Sequence, residues 1–154
     1  MSLKILKLRF KLFLLGLFKI PMIHFVRPKL VSIDEDQCVI RIRLCRRSKN
    51  HLKSMYFGAL AVGADIAAGI HAYYFSDLEK KKISLAFKSM SVDFLKRAET
   101  DIFFKSSQGK EILQMIHNSF NQSVRVNQLI EVHAENSLGE IVAIFKMELS
   151  LKVI

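Results

Sequence analysis

Between Met55 and Ile70 the chain carries one charged side chain, Asp65, in a run of alanines, glycines and aliphatic residues. The wider stretch, Asn50 to Phe75, reads NHLKSMYFGALAVGADIAAGIHAYYF. It predicts a helix from near Ser54 or Met55 to about Phe75, which for 22 residues is roughly 33 Å long. At about 100° per residue Gly58, Val62, Asp65 and Gly69 share one stripe, flanked by Ala61 and Ala68. Small residues on a stripe let another backbone come close, and a helix this apolar must be wrapped by something wider than a second helix. A curved sheet meets both requirements. A membrane span does not fit the acid at mid-helix or the alanines and glycines around it. An ionised carboxylate is costly to bury alone, so Asp65 should be paired, solvated in a cleft or held at a shifted pKa.

The flanking patterns supply the sheet. Lys29 to Ile33 and Gln37 to Arg47 read as strands joined by the polar turn Asp34-Glu35-Asp36, with Ile40, Ile42 and Leu44 alternating against Arg41, Arg43 and Cys45. Beyond the helix, Ile83 to Ala98 reads as a long strand with a defect. Ile83, Leu85 and Phe87 alternate in one phase and Met90, Val92 and Phe94 in the other, so a bulge is expected near Lys88-Ser89. Thr100 to Lys105 is a further short strand. Ser107 is the expected cap of a short helix whose apolar face is Ile112, Leu113, Ile116 and Phe120. Val124, Val126, Gln128, Ile130, Val132 and Ala134 alternate with mostly polar neighbours, and Ile141 to Val153 do the same after Asn136-Ser137-Leu138-Gly139, the pattern of an antiparallel hairpin. The fold class is therefore α+β, a curved antiparallel sheet around a long central helix, preceded by an extra N-terminal helix.

That first segment, residues 2 to 20, begins amphipathic: Lys4, Lys7 and Lys11 fall on one face, Leu3, Leu6, Phe10 and Phe13 on another. From Leu12 to Phe18 it is apolar all round, and Pro21 is expected to stop it. It is too short to span a bilayer and lacks the small-residue cleavage site of a secretory signal. Two readings stay open, a helix packed across the domain and an interfacial helix in contact with a membrane. We divide the chain into residues 1–28, the basic helix and its link, and residues 29–154, a single domain.

Charge sharpens this division. The net +10 is confined to one end: residues 1 to 53 hold 13 Lys or Arg against 3 acids, the remainder 11 against 11. A basic end suits an anionic membrane or a nucleotide phosphate, or is simply solvated. The interleaving of aromatic and basic residues that a nucleic-acid platform uses is missing, so nucleic acid is not an expected partner. Cys38 and Cys45, seven residues apart on one expected strand, would lie roughly 23 Å apart and cannot bridge. Unpaired cysteines favour a reducing, cytoplasmic setting. The five histidines show no metal-ligand spacing, and no metal or resident cofactor is expected.

The order of elements, the string Asn50 to Gly69 and the segment Val92-Asp93-Phe94-Leu95-Lys96-Arg97-Ala98 resemble the hot-dog fold. Within it they are similar to the PaaI-like acyl-CoA thioesterases or an uncharacterised branch beside them. The resemblance covers Lys29 to the C-terminus. In those enzymes a His-Gly-Gly helix start is followed seven residues on by a catalytic Asp. Gly58 and Asp65 occupy the second Gly and the Asp, while Tyr56 and Phe57 stand where the His and first Gly would be. The resemblance implies a thioesterase for acyl-CoA or acyl-carrier protein, with coenzyme A entering as part of the substrate. It also implies a homodimer, with dimers able to pair into tetramers.

It implies roles as well. Gly58, at the positive end of the helix, would offer its N–H to the thioester oxyanion. Asp65 would act as base or nucleophile. Seven helical residues separate the two by about 10 Å, too far to share one carbonyl, so Asp65 of one chain would serve the Gly58 end of its partner. Asn50 and Tyr56 are further candidates for orienting the thioester, and Arg46, Arg47, Lys96 and Arg97 for meeting coenzyme A phosphates. A non-catalytic acyl-thioester or lipid binder is the alternative.

Overall fold

The structure, a computed structural model, describes residues 3–154, with side chains from Ile5 onward. The expected helix start at Ser2 and the faces assigned to Leu3 and Lys4 lie outside the described residues. The first helix, α1 (Leu3–Phe18), is followed by a second, α2 (Pro21–Val26). Pro21 therefore opens a helix rather than stopping one. It sits in the first turn of α2, where its missing N–H has no partner to lose, and α1 has already ended at Phe18. Leu8 and Leu12 turn inward from α1, whereas Leu6, Phe10 and Phe13 face out. Both stripes are apolar, and the core lies on the side of Leu8.

Six antiparallel strands follow: β1 (Lys29–Ile33), β2 (Cys38–Ile42), β3 (Ile83–Phe94), β4 (Ile102–Ser106), β5 (Val126–Glu135) and β6 (Ile141–Val153). They form one sheet in the order β1-β2-β4-β5-β6-β3. Two helices complete the chain, α3 (Phe57–Leu78) and α4 (Gly109–Gln122), the latter packed on α3, β5 and β6. The concave side of the sheet takes α3. Ile40, Ile42, Ile102, Phe104, Ile130, Val132, Phe145 and Leu149 are fully buried, as are Ala64, Ala67, Ala68 and Ala72 of the helix. The close approach that the small residues anticipate is realised at Gly63, where an added Cβ would lie 2.3 Å from the Phe104 ring. The expected α+β architecture, a long helix wrapped by a curved antiparallel sheet, is the one found.

The bulge also falls where the phase change puts it. β3 pairs with β6 from Ile83↔Val153 to Phe94↔Ala143, and the register slips between Phe87 and Ser89. β5 and β6 pair along almost their whole length, closed by Gly139 at φ 79°, a conformation glycine adopts freely. Several ends differ from expectation. β2 stops at Ile42, so Cys45 lies in the turn beyond it; both cysteines are free. β3 stops at Phe94. Gln108, not Ser107, precedes α4, and its side chain instead bridges to β5, donating to Leu129 O at 3.1 Å and accepting from Glu131 N at 2.6 Å.

Candidate active site

The start of α3 is held by backbone bonds to two loops. Tyr56 N donates to Ser48 O at 2.7 Å and Met55 N to Ala98 O at 2.7 Å. Ser48 is itself buried, its hydroxyl donating to Arg43 O at 2.7 Å and accepting from Cys45 N at 3.0 Å. These bonds bring the turn carrying Arg46 and Arg47 and the loop carrying Lys96 and Arg97 to the same end of the helix. Arg46 and Arg47 are exposed there, Lys96 pairs with Glu140 at 2.7 Å, and Arg97 lies 3.8 Å from Glu99. Asn50 closes the loop between them. Its side-chain oxygen accepts from Leu52 N and Ser54 N at 2.9 and 3.2 Å, and its amide reaches Ser54 Oγ at 3.1 Å. The Asn50 side chain is therefore engaged within its own loop.

Tyr56 is the residue before the helix and offers no side-chain cap. Its carbonyl accepts from Ala59 N and Leu60 N, so the N–H groups of Phe57 and Gly58 find no acceptor among the described residues. Unpaired donors at the positive end of a 22-residue helix are suited to a developing negative charge. The Tyr56 ring lies over the empty face of Gly58: an added Cβ would sit 2.5 Å from Tyr56 Cε1. Tyr56 and Phe57, with ring centroids 4.7 Å apart, are both exposed.

Two turns on, Asp65 is half-buried, and burial raises its carboxyl above the ordinary carboxylate value, with no cation or hydrogen bond among the described residues opposing the shift. Its stripe continues to Gly69, whose open face meets Phe87 and Leu85 of β3 at 3.7 to 3.9 Å. The carboxyl borders a cavity of about 360 Å³ between α3, β3 and the N-terminal helices. Leu8, Leu12, Leu15, Ile23, Leu85 and Phe87 make its walls largely apolar, and Tyr73 shares them with Asp65. The structure thus gathers Tyr56, Gly58, Asn50 and the four basic residues at one end of α3 and sets Asp65 apart, on this cavity. The sequence reading missed the cavity and the part played by α1 in it. The signal was present as the spacing of Leu8, Leu12 and Leu15, overshadowed by the more conspicuous Leu6, Phe10 and Phe13.

Two other buried titratable groups lie outside this cavity and are tied to backbone oxygens. Cys38 donates its thiol to Ala67 O at 3.2 Å, and burial pushes it up to about 12. His71 has Nε2 3.1 Å from Asp34 O, with its protonation disfavoured by burial.

A long helix wrapped by a six-stranded antiparallel sheet defines a protein of the hot-dog fold. Solved structures bear this out. One of unknown function from Chlorobaculum tepidum is 14% identical with a TM-score of 0.83, covering 98% of each chain. One from Shewanella oneidensis, described as a candidate thioesterase, is 13% identical with a TM-score of 0.82, covering 95% of this chain and 98% of that one. A thioesterase from Haemophilus influenzae is 7% identical with a TM-score of 0.67, covering 91% and 88%. The chain belongs to the family described as a domain of unknown function, DUF4442, which matches residues 9–153. No curated protein matches the sequence.

Proposed function

We propose that the protein hydrolyses acyl thioesters, of coenzyme A or acyl-carrier protein, with Asp65 as the catalytic acid-base group. The observation that carries this reading is the placement of an uncompensated carboxyl on the rim of an apolar cavity. The carboxylate takes a proton from water as the water oxygen bonds to the thioester carbon. The carbonyl oxygen becomes the oxyanion, met by the N–H groups of Phe57 and Gly58, and collapse expels the thiolate, which recovers the proton. The carboxylate attacking directly, with water releasing the acyl enzyme, uses the same geometry. The structural relatives described as thioesterases support the reading.

The donors and the acid are about 10 Å apart along one helix, so the reading requires two chains. β3 offers the means. It is a long strand at the open edge of the sheet, with Met90 and Phe94 about half exposed, the kind of edge that invites pairing with a second copy. Pairing β3 with its symmetry mate would continue the sheet across a dimer, and such dimers can pair further. Arg46, Arg47, Lys96 and Arg97 at the helix start would then receive the phosphates of coenzyme A. Free cysteines fit a cytoplasmic setting.

A second reading rests on Tyr56, whose ring covers the face of Gly58 that a thioester carbonyl would approach. If the ring stays there, the protein binds acyl thioesters without hydrolysing them. A panel of acyl-CoAs of increasing chain length separates the two. Hydrolysis releases free thiol with wild-type protein and not with Asp65→Asn. Binding alone gives ligand-dependent thermal stabilisation without thiol.

A further inference from the structure

The N-terminal helices carry a second surface that thioester chemistry does not use. Leu8 and Leu12 turn into the core, and on the opposite side of α1 Leu6, Phe10, Phe13 and Leu17 recur at helical spacing, all open to solvent. Phe18 at the end of α1, and Met22 and Phe25 on α2, are open to solvent as well, the seven side chains being between 43% and 72% exposed. Contiguous apolar surface of this kind marks an interaction site. It is firmly mounted: Lys11 is ion-paired with Asp77 in the last turns of α3, and Arg9 donates to Leu30 O at 2.8 Å and Val31 O at 3.3 Å on β1.

Charge identifies the partner. Lys7, Lys19, Arg27 and Lys29 are exposed around the stripe, and the first acid in the sequence is Asp34. A cavity of about 490 Å³ opens between α1, α2 and the start of β1. Its titratable lining is entirely basic, Arg9, His24, Arg27 and Lys29, and Phe13 belongs both to its wall and to the apolar stripe. A second copy of this chain docked through the same face would bring two sets of like charges together, with no acid before Asp34 in either segment to offset them. A bilayer bearing anionic phospholipid satisfies both features at once.

We propose that α1 and α2 lie on an anionic phospholipid surface, with Phe10, Phe13, Leu17 and Phe18 at the boundary between headgroups and acyl chains. The basic cavity receives a lipid phosphate. This is independent of Asp65 and of thioester hydrolysis. The test is flotation of the full chain with vesicles of phosphatidylglycerol and phosphatidylcholine in equal parts, and with phosphatidylcholine alone. The chain floats with the first, stays behind with the second, and is released by salt. Two variants, Phe10→Ser with Phe13→Ser, and Arg27→Glu with Lys29→Glu, alter exposed positions, and unchanged thermal melts confirm their folding. Each weakens anionic-vesicle binding by about tenfold or more. The proposal is overturned if the full chain remains soluble beside anionic vesicles, or if both folded variants bind them like wild type. It is equally overturned if the serine variant reduces the oligomer size while vesicle binding is unchanged, because a second copy then covers the face.

Discussion

Asp65 is the residue on which the proposed chemistry and folding stability oppose each other. Burial raises its carboxyl above the ordinary value of 3.8, so the folded protein binds that proton more tightly than the unfolded chain. Folding stability from this group is therefore greatest below the unfolded value and declines as pH rises through the folded one. Asp65→Asn, which cannot ionise, should melt at a higher temperature than wild type near neutral pH, with the difference closing as pH falls toward 3.8. Thermal melts across that range read it out. The same substitution should lower thioester hydrolysis by about 10²–10⁴-fold, the usual contribution of a positioned base. Gly58 offers the converse case. The atoms nearest an added methyl belong to the exposed Tyr56 ring, which can swing aside, so Gly58→Ala should shift stability by less than about 1 kcal/mol. Its hydrolysis rate should still fall, since the methyl narrows the approach to the N–H.

At the scale of elements, the contact between α3 and the sheet is where packing is least forgiving. Gly63→Ala places a methyl 2.3 Å from the fully buried Phe104 ring, and chemical denaturation should show a loss of about 1–3 kcal/mol, well beyond that of Gly58→Ala. Similar losses for the two would contradict this account of α3. The elements themselves were largely legible in the sequence where a period persists. The long helix, the hairpin of β5 and β6 and the slip at Phe87-Ser89 all follow from apolar spacing. Ends were less so, because tertiary bonds decide them: Met55 and Tyr56 are held extended by Ala98 and Ser48, which delays α3 to Phe57. Gly58 and Asp65 were singled out as a candidate pair only through the family resemblance, and they lie at the start of α3 and two turns along it. The cavity beside Asp65 was not, since it depends on which of two apolar stripes of α1 turns inward.

For the whole molecule, the proposed hydrolysis requires a site shared between two chains. In the proposed dimer the exposed Met90 and Phe94 on the open strand β3 form the seam, so Met90→Lys with Phe94→Lys should shift a dimer toward monomer by light scattering and reduce hydrolysis in parallel. The shared site can also be tested without disturbing the seam. Co-expressing Asp65→Asn and Gly58→Val chains with different tags allows the mixed dimer to be purified away from both parents. One of its two sites then combines an intact helix start with an intact acid, and the other has neither. The mixed dimer should hydrolyse acyl-CoA at about half the wild-type rate while both parental dimers are nearly inactive. A mixed dimer as inactive as its parents would contradict a site divided between two chains.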